Sequence, residues 1–242
     1  LRINLMNNLA GLNKYRTLNI LPVREDIDIF TQNRLLLERS YIAGFATLAK
    51  DLHLTGNIGY LEEMYGGAGG EILYRPFAQS WAVGVEAALA LKRDPYSLLA
   101  LGLNGDHILS GHLNVYYEEP ESDVTLHGSI GRYLAGDIGG TVDIKNTLDS
   151  GVEIAATTTI TNRSDTDFIN GGHTNVYAGM SLSMPLGSLS YLPNKSRMTL
   201  NAAPLGRNTG QRLKNPTPLY AATDSLSYQH ITRHWSQLTS SH

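Results

Sequence analysis

Four glycines fall within residues 66–70, and a glycine-rich loop is a familiar sign of phosphate binding. Such a loop needs a helix directly after it, with a Lys or a Ser/Thr that reaches the phosphate or its metal ion. Here the next residues are Glu71-Ile72-Leu73-Tyr74-Arg75, which alternate as a strand does. The glycine cluster is therefore predicted to be a side-chain-poor bend between two strands, not a phosphate site.

The other residues that could do chemistry are carboxylates and histidines. In a strand, neighbours such as Glu62 and Glu63, or Glu118 and Glu119, point to opposite faces and cannot flank one bond, so both pairs are predicted to be solvated loop carboxylates. The eight histidines lack metal-binding spacing, no Gly-x-Ser-x-Gly motif occurs, and there is no cysteine. We therefore predict no catalytic residue, metal or cofactor, although a Ser/His/Asp site assembled from separate strands stays open.

The elements that would position any site are strands with strict alternation. In residues 81–92, one face carries Trp81, Val83, Val85 and other apolar residues, while the opposite face is small with isolated charges. The same division recurs in residues 107–117, 138–145, 152–161 and 176–184. About nine strands are predicted between residues 35 and 184, and weaker candidates near residues 15–23, 197–203 and 226–235 raise the number to about ten to twelve.

The length and polar face of these strands favour a membrane protein. Several strands would reach about 9–12 residues, close to what a tilted strand needs to cross a bilayer, and their polar face is rich in Gly, Ala, Ser and Thr. The connections at 50–51, 78–80, 119–123 and 149–151 are short, whereas those at 93–106 and 162–174 are long, with 133–137 intermediate on the long side. We predict an all-β, antiparallel transmembrane β-barrel of the bacterial outer membrane, with short turns on one side and longer loops on the other.

The chain is predicted to divide into three parts. Residues 1–34 form an N-terminal segment, irregular or a first strand, and residues 35–190 form the barrel core. Residues 191–242 form a C-terminal irregular segment; its part 193–218, with four prolines, is predicted to be an irregular connection or plug-like, and 228–238 a closing strand or a short helix. The net charge of −3 and the absence of a Lys/Arg run argue against nucleic acid as a partner.

The polar face supplies the candidates for lining the lumen or contacting a glycan. Glu71 and Arg75 share one face but lie about 13 Å apart, so each is expected to need a cross-strand partner. Tyr116 and Tyr133 are the candidates for stacking on a sugar. The full set is Glu71, Arg75, Glu86, His112, Asn114, Tyr116, Tyr133, Asp143 and Glu153. Tyrosines near strand ends suit the aromatic girdles of a membrane interface, namely Tyr60, Tyr65, Tyr74, Tyr117, Tyr133 and Tyr177.

Several of these segments together resemble a known family. The stretch YLEEMYGGAGGEILYRPF is followed in order by WAVGVEAALALKRD, ILSGHLNVYYEEP, GSIGRYLAGDIGGTVDI and APLGRNTGQRL. These segments resemble the C-terminal part of the YjbH/GfcD family, outer-membrane lipoproteins linked to exopolysaccharide and group 4 capsule production. The resemblance covers about residues 35–220 and rests on several separate motifs in the same order.

The resemblance implies an outer-membrane β-barrel protein that assists the passage of polysaccharide, with outer-membrane lipid around it and periplasmic export partners or a second barrel beside it. Members of the family are longer, with two barrels and a lipid-modified cysteine near the N-terminus. The chain is therefore expected to be the C-terminal barrel portion or a second chain of a split system. The family supplies no catalytic residues to transfer.

Two alternatives remain open from the sequence. The first is an envelope enzyme that modifies polysaccharide or lipid on a barrel scaffold, which would need clustered Ser/His or carboxylate groups at one rim. The second is a soluble periplasmic β-sandwich that binds glycan, which would dissolve without detergent.

Overall fold

The computed structural model describes residues 2–3, 23–33, 35–119, 122–148, 150–166, 172–187, 196–204, 207–228 and 231. Within these ranges, no helix has the length and apolar character required to cross a membrane. The helices are α1 at Ile27–Gln32 and α2 at Leu219–Ala222, with short 3-10 helices at Leu98–Ala100 and Asp224–Leu226. Strands dominate the described chain.

Ten strands form one antiparallel sheet in which each strand pairs with the next along the chain. They are β3 Ser40–Ala49, β4 Leu52–Tyr60, β5 Tyr65–Tyr74, β6 Trp81–Arg93, β7 Leu103–Glu118, β8 Val124–Arg132, β9 Ile138–Thr147, β10 Glu153–Thr166, β11 His173–Pro185 and β12 Arg197–Ala202. A separate short pair joins β1, Arg2–Ile3, to β2, Leu35–Leu36. Among the described residues, β3 and β12 are the two edges of the large sheet and do not pair with each other.

The predicted all-β class and antiparallel order are confirmed. The five alternating segments predicted from sequence correspond to β6, β7, β9, β10 and β11, and the weaker candidate at 197–203 is β12. Alternation succeeded because a strand with one apolar face leaves a strong period of two in the sequence. The candidate at 15–23 and the predicted strand or helix at 228–238 lie almost wholly outside the described residues.

The glycine cluster is not a bend, and this prediction was wrong. Residues 66–70 lie inside β5, because β4 ends at Tyr60 and the turn is formed by residues 61–64. Gly67 has φ +141°, and a Cβ atom there would lie 1.9 Å from the carbonyl oxygen of Leu89 on β6. A glycine is required at this position so that the two strands can approach each other.

The two sets of connections differ less in length than predicted. The first predicted long loop shortens to residues 94–102 because β7 already begins at Leu103. The second predicted long loop loses residues to strands as well, because β10 continues to Thr166 and β11 begins at His173. On that side of the sheet, residues that were predicted to form loops belong to strands that continue beyond their alternating segments. The connections 50–51, 75–80, 119–123 and 148–152 lie at the opposite end of the sheet.

The sheet is apolar on its exposed face and polar on its buried face. Ile42, Ile130 and Met180 are more than 60% exposed, and large apolar side chains are exposed on every strand from β3 to β12. On the other face Thr55, Asn114 and other polar side chains are buried. This distribution is the reverse of that in a water-soluble sheet, which turns its apolar face to a core.

Two segments cover the polar face. At the end that carries connections 61–64, 94–102 and 133–137, residues from 23 to 36 pack on Met64, Tyr65 and Leu134 in the larger apolar cluster. Residues 207–223, here named the strap, continue across the polar face and end at a smaller cluster formed by Leu73, Ala82 and Leu219. The core of the protein therefore lies between the sheet and these two segments.

Candidate functional site

The centre of the polar face is a hydrogen-bonded cluster around Arg212 of the strap. Its guanidinium donates to the carboxylate of Glu86 on β6, to Asn114 Oδ1 on β7 at 2.9 Å and to Ser129 Oγ on β8 at 3.1 Å. The same carboxylate lies 3.1 Å from His112 Nδ1. One strap side chain thus connects three neighbouring strands, as the forked geometry of a guanidinium allows.

The cluster continues across the sheet through His127. Its Nε2 lies 3.0 Å from Asn114 Oδ1, and its Nδ1 lies 2.7 Å from Asp143 Oδ2 on β9. The strand register places these side chains side by side, since Asn114 pairs with Ser129 and His127 pairs with Asp143. The network therefore spans four strands, from β6 to β9.

A second part of the strap binds the polar face of the ten-stranded sheet, here named the wall, at β4 and β5. Asn215 Nδ2 donates to Glu71 Oε2 at 3.0 Å, and the backbone N–H of Leu219 donates to the same oxygen at 2.9 Å. Asn57 Nδ2 on β4 donates to Asn215 Oδ1 at 3.2 Å. Glu71 and Glu86 face each other in the β5–β6 register. The strap thus supplies donors to two carboxylates that would otherwise repel each other.

The end of the strap is fixed by Arg75, which follows β5. Arg75 Nη2 donates to Glu118 Oε1 at 2.6 Å and lies 3.2 Å from Asp224 Oδ1. The hydroxyl of Tyr220 donates to the same Glu118 oxygen. Burial raises the pKa of Tyr220, and the adjacent Glu118 carboxylate raises it further, so the phenol remains a donor at neutral pH.

Three aromatic rings stack beside this ion pair. The rings of Tyr116 and Tyr220 are parallel within 9°, with centroids 3.9 Å apart, and His127 stacks on Tyr116 at 4.5 Å. The guanidinium of Arg75 lies 4.5 Å from the ring centroid of Tyr220. One face of Tyr116 is therefore covered by the wall and the other by the strap.

The structure brings eight of the nine sequence-predicted residues to this polar face and leaves one apart. Glu71, Arg75, Glu86, His112, Asn114, Tyr116 and Asp143 belong to the contacts above. Tyr133 is fully buried; its hydroxyl lies 2.7 Å from Thr141 Oγ1, and its ring meets His112 edge to face. Glu153, at the start of β10, lies 3.5 Å from Arg197 on β12 in a part-exposed ion pair, apart from the strap contacts described above.

Other predictions about single residues need correction. Glu62 and Glu118 were predicted to be solvated but are both buried, Glu62 in an ion pair with Arg24 at 2.9 Å. Each lies at a strand end that another segment covers, which the local sequence cannot show. Of the six tyrosines predicted for interfacial girdles, Tyr65 and Tyr133 are fully buried, whereas Tyr74 and Tyr117 are exposed on the apolar face.

Sequence reasoning missed the residues that the strap contributes. Arg212, Asn215 and Tyr220 lie 98 to 144 residues further along the chain than their respective partners Asn114, Glu71 and Glu118. The only signal was the proline-containing, irregular composition that predicted a plug-like segment. Alternation identifies the wall of the site but not the segment that crosses it.

A small cavity separates the strap from the wall. Its free volume is about 30 Å³, enough for about one water molecule. It is lined by Asn57, Gly69, Glu86, Ser110, His112 and strap residues 213–215. His112 Nε2 and Asn57 Oδ1 are buried and have no hydrogen-bond partner among the described residues. No group of three or more His, Asp or Glu side chains suited to a metal ion occurs in the described part of the chain.

Comparisons with known proteins give one family and one curated relative. The YjbH family, described as exopolysaccharide biosynthesis protein YbjH, matches residues 1–225. The uncharacterized lipoprotein YjbH of Escherichia coli (strain K12) is 36% identical over 207 residues, which are 85% of this chain. The matched part is 29% of that relative's length. No solved structure matches the chain significantly.

Proposed function

The chain belongs to the YjbH family, and we propose that it is an outer-membrane β-barrel that assists the export of exopolysaccharide or capsule across the outer membrane without catalysing a reaction. The family description supports polysaccharide as the exported molecule. The lipoprotein name of the relative and the exposed apolar face of this chain support a membrane location. Because the chain spans 29% of that relative, the export role concerns the protein to which this portion contributes.

The observation that carries the proposal is the reversed distribution of apolar and polar side chains. Val85, Leu109 and Val142, near the middle of their strands, are 55%, 60% and 56% exposed. A sandwich in water would bury such a face against a second sheet, at about 25 cal/mol for each Å² removed from water. A surface of this kind is suited to hydrocarbon, with the polar face turned to a lumen.

The strand order is that of a barrel wall, although β3 and β12 do not pair with each other among the described residues. A meander in which every strand pairs with its sequence neighbour is the order of an up-and-down barrel. The strap contacts β10 near Gly210 and β4 at Asn215. Five extended residues span at most about 18 Å, whereas six strand spacings of a flat sheet span about 29 Å. This difference favours a sheet that curves around the strap.

Exposed aromatic residues at one end favour the same arrangement. Tyr74, Phe77, Trp81 and Tyr117 are exposed near the connections 75–80 and 119–123, and the rings of Tyr74 and Trp81 are 5.9 Å apart. Such rings are typical of the interface between headgroups and hydrocarbon. We propose that this end marks one membrane boundary and that outer-membrane lipid contacts the apolar face between the two boundaries.

A gel assay tests the membrane proposal. The protein should require detergent and should migrate faster on an SDS gel before boiling than after it, because a closed barrel resists SDS at room temperature. A protein that stays soluble and monomeric without detergent, with the same mobility before and after boiling, would contradict the barrel.

Cell fractionation and secretion test the role. In a strain that lacks the gene, released exopolysaccharide should fall while glycan accumulates inside the envelope, and the intact gene should restore release. Periplasmic export proteins or a second barrel should co-purify with the protein. Unchanged release in the deletion strain would contradict the export role even if the barrel is correct.

A further inference from the structure

We propose that the polar face beneath the strap is a binding track for neutral or amino sugars, and that the strap occupies this track until glycan displaces it. The inference rests on the proposed export function and specifies the class of glycan. It also assigns a role to the strap that neither the family description nor the relative's name contains.

The strap forms no strand with the sheet in the described residues, and its main contacts with the middle of the wall come from side chains that donate to carboxylates. The pairs are Asn215 with Glu71, Arg212 with Glu86 and Tyr220 with Glu118. A sugar hydroxyl or a sugar ammonium group is a donor of the same kind. Glycan could therefore replace these contacts one at a time.

Beside the cavity, the strap leaves buried polar atoms of the wall without a partner among the described residues. His112 is 4% exposed and Asn57 is 7% exposed, yet His112 Nε2 and Asn57 Oδ1 lack partners and line the cavity under residues 213–215. Asn57 uses its amide nitrogen on Asn215, so its free atom is the acceptor. If His112 donates through Nδ1 to Glu86, its free Nε2 is an acceptor as well. The wall therefore offers acceptors that a hydroxyl-rich ligand satisfies better than the strap does.

Tyr116 presents a flat ring within a polar wall, with His127 on one face and Tyr220 on the other. When Tyr220 leaves, the second face of Tyr116 opens beside Glu118 and Asn114. An apolar ring face bordered by hydrogen-bonding groups suits the apolar face of a sugar ring. In this arrangement Tyr220 occupies the position that a sugar would take.

Around strap residues 212–220, the wall carries the carboxylates of Glu71, Glu86, Glu118 and Asp143. Permanent positive charge on this part of the wall comes from Arg75, which already pairs with Glu118, and from Lys145, which shares the polar face of β9 with Asp143. The four carboxylates outnumber these two cations. Once Arg212 has moved away with the strap, this part of the track is negative. An acidic glycan would be repelled, whereas a neutral or amino sugar would not.

Oligosaccharide binding to the detergent-purified full chain tests the inference. The probes are maltoheptaose as the neutral sugar, a glucosamine hexamer as the amino sugar and hexagalacturonate as the acidic one. Tyr220→Ala should bind maltoheptaose about tenfold more tightly, since a weaker strap leaves the track open more often. Tyr116→Ala should bind it about tenfold less tightly, since a stacking ring is lost. The matched control Tyr96→Ala, at a position 81% exposed in a connection, should bind like the unmodified protein.

A reversible tether separates strap movement from folding defects. Because the chain has no cysteine, Asn57→Cys together with Asn215→Cys can be joined by a cleavable bismaleimide at these two sites alone. Maltoheptaose binding should fall at least about tenfold in the tethered protein and return after the linker is cleaved. The same molecules serve as their own control for folding.

Defined outcomes would overturn the inference. Binding that is unaffected by the tether, or not increased in Tyr220→Ala, would make the strap a structural element only. Tighter binding of hexagalacturonate than of maltoheptaose would make the assigned sugar class wrong. Either result, with exopolysaccharide release from cells still dependent on the protein, contradicts the track and leaves the export role intact. Release that is independent of the protein would contradict the export role itself.

Discussion

At the scale of single residues, the buried charges of the polar face are partnered across elements that are distant in the chain. Arg75 follows β5, whereas Glu118 ends β7, and their side chains are 7% and 5% exposed. Charges removed from water to this extent are tolerated only when they are paired and hydrogen-bonded. The geometry of the wall and the strap therefore depends on pairs of this kind.

The first prediction concerns the Arg75–Glu118 pair. Arg75→Met should lower the free energy of unfolding by about 3–5 kcal/mol, because it leaves the Glu118 carboxylate buried without a counter-charge. The measurement is denaturant unfolding in detergent, followed by tryptophan fluorescence.

The matched control for this prediction is the exposed pair Arg197–Glu153, whose side chains are 37% and 36% exposed. Arg197→Met should cost less than about 1 kcal/mol, because water screens the exposed pair. Equal effects of the two substitutions would show that the Arg75 pair is as well solvated as the Arg197 pair.

Sequence reasoning placed these residues on the correct face but could not supply their partners. Alternation put Glu71, Glu86 and Asp143 on the polar side of their strands, since side-chain direction follows position in a strand. Glu118 was assigned to solvent because the segment that buries it, around Tyr220, is 102 residues further along the chain. Burial by a distant segment leaves no local signal.

At the scale of strands, close approach of β5 and β6 depends on Gly67. The second prediction is that Gly67→Ala costs at least about 3 kcal/mol and lowers the yield of folded protein, because the backbone there has positive φ and faces the Leu89 carbonyl. Unfolding in detergent and the fraction of heat-modifiable protein on gels measure this cost.

Gly44 on β3 is the matched control for the strand prediction. A Cβ atom at Gly44 would meet nothing within 4 Å. Gly44→Ala should therefore be neutral, or stabilise the protein by about 0.4–1 kcal/mol. If both alanine variants fold equally well, the pairing of β5 with β6 is less close than the structure indicates.

The same glycines explain where the strand prediction failed. Gly66, Gly67, Gly69 and Gly70 carry no hydropathy signal, so the alternation of β5 is visible only from Glu71 onward. The turn that ends β4 consists of residues 61–64, which contain no glycine or proline. Glycine was taken as a turn residue, whereas its role here is close contact between strands.

At the scale of the whole molecule, the barrel proposal requires that the exposed apolar face contacts lipid and not water. The third prediction is that Leu109→Arg, near the middle of β7, lowers stability in lipid by about 2–4 kcal/mol, the cost of a cation at the bilayer midplane. Unfolding from lipid vesicles measures this cost.

The matched control is Leu98→Arg in the connection between β6 and β7, where the leucine is 84% exposed. A substitution at an exposed position in water changes stability by no more than about 0.5 kcal/mol. Should Leu109→Arg prove as mild as Leu98→Arg, the apolar face lies in water and the barrel proposal is wrong.

The overall architecture was predictable only in part. The strand order follows from the sequence because connections such as 50–51 and 61–64 are short, and short connections join antiparallel neighbours. The course of the strap could not be predicted, since its side chains contact strands β4 to β8, β10 and β11 through interactions that no periodicity encodes. The plug-like composition indicated that such a segment exists but not what it touches.

The position of the strap after the last strand has a consequence for the order of assembly. Every pairing in the sheet joins neighbours along the chain, so the wall can form strand by strand with small loops to close. The strap contacts instead join residues 126 and 148 positions apart, as in Arg212 with Glu86 and Leu219 with Glu71. Loop closure of this length comes late. Each new molecule therefore passes through a stage with its carboxylates exposed and its interior open, and the kinetics of refolding should contain a final slow phase that disappears when the chain is cut before residue 207.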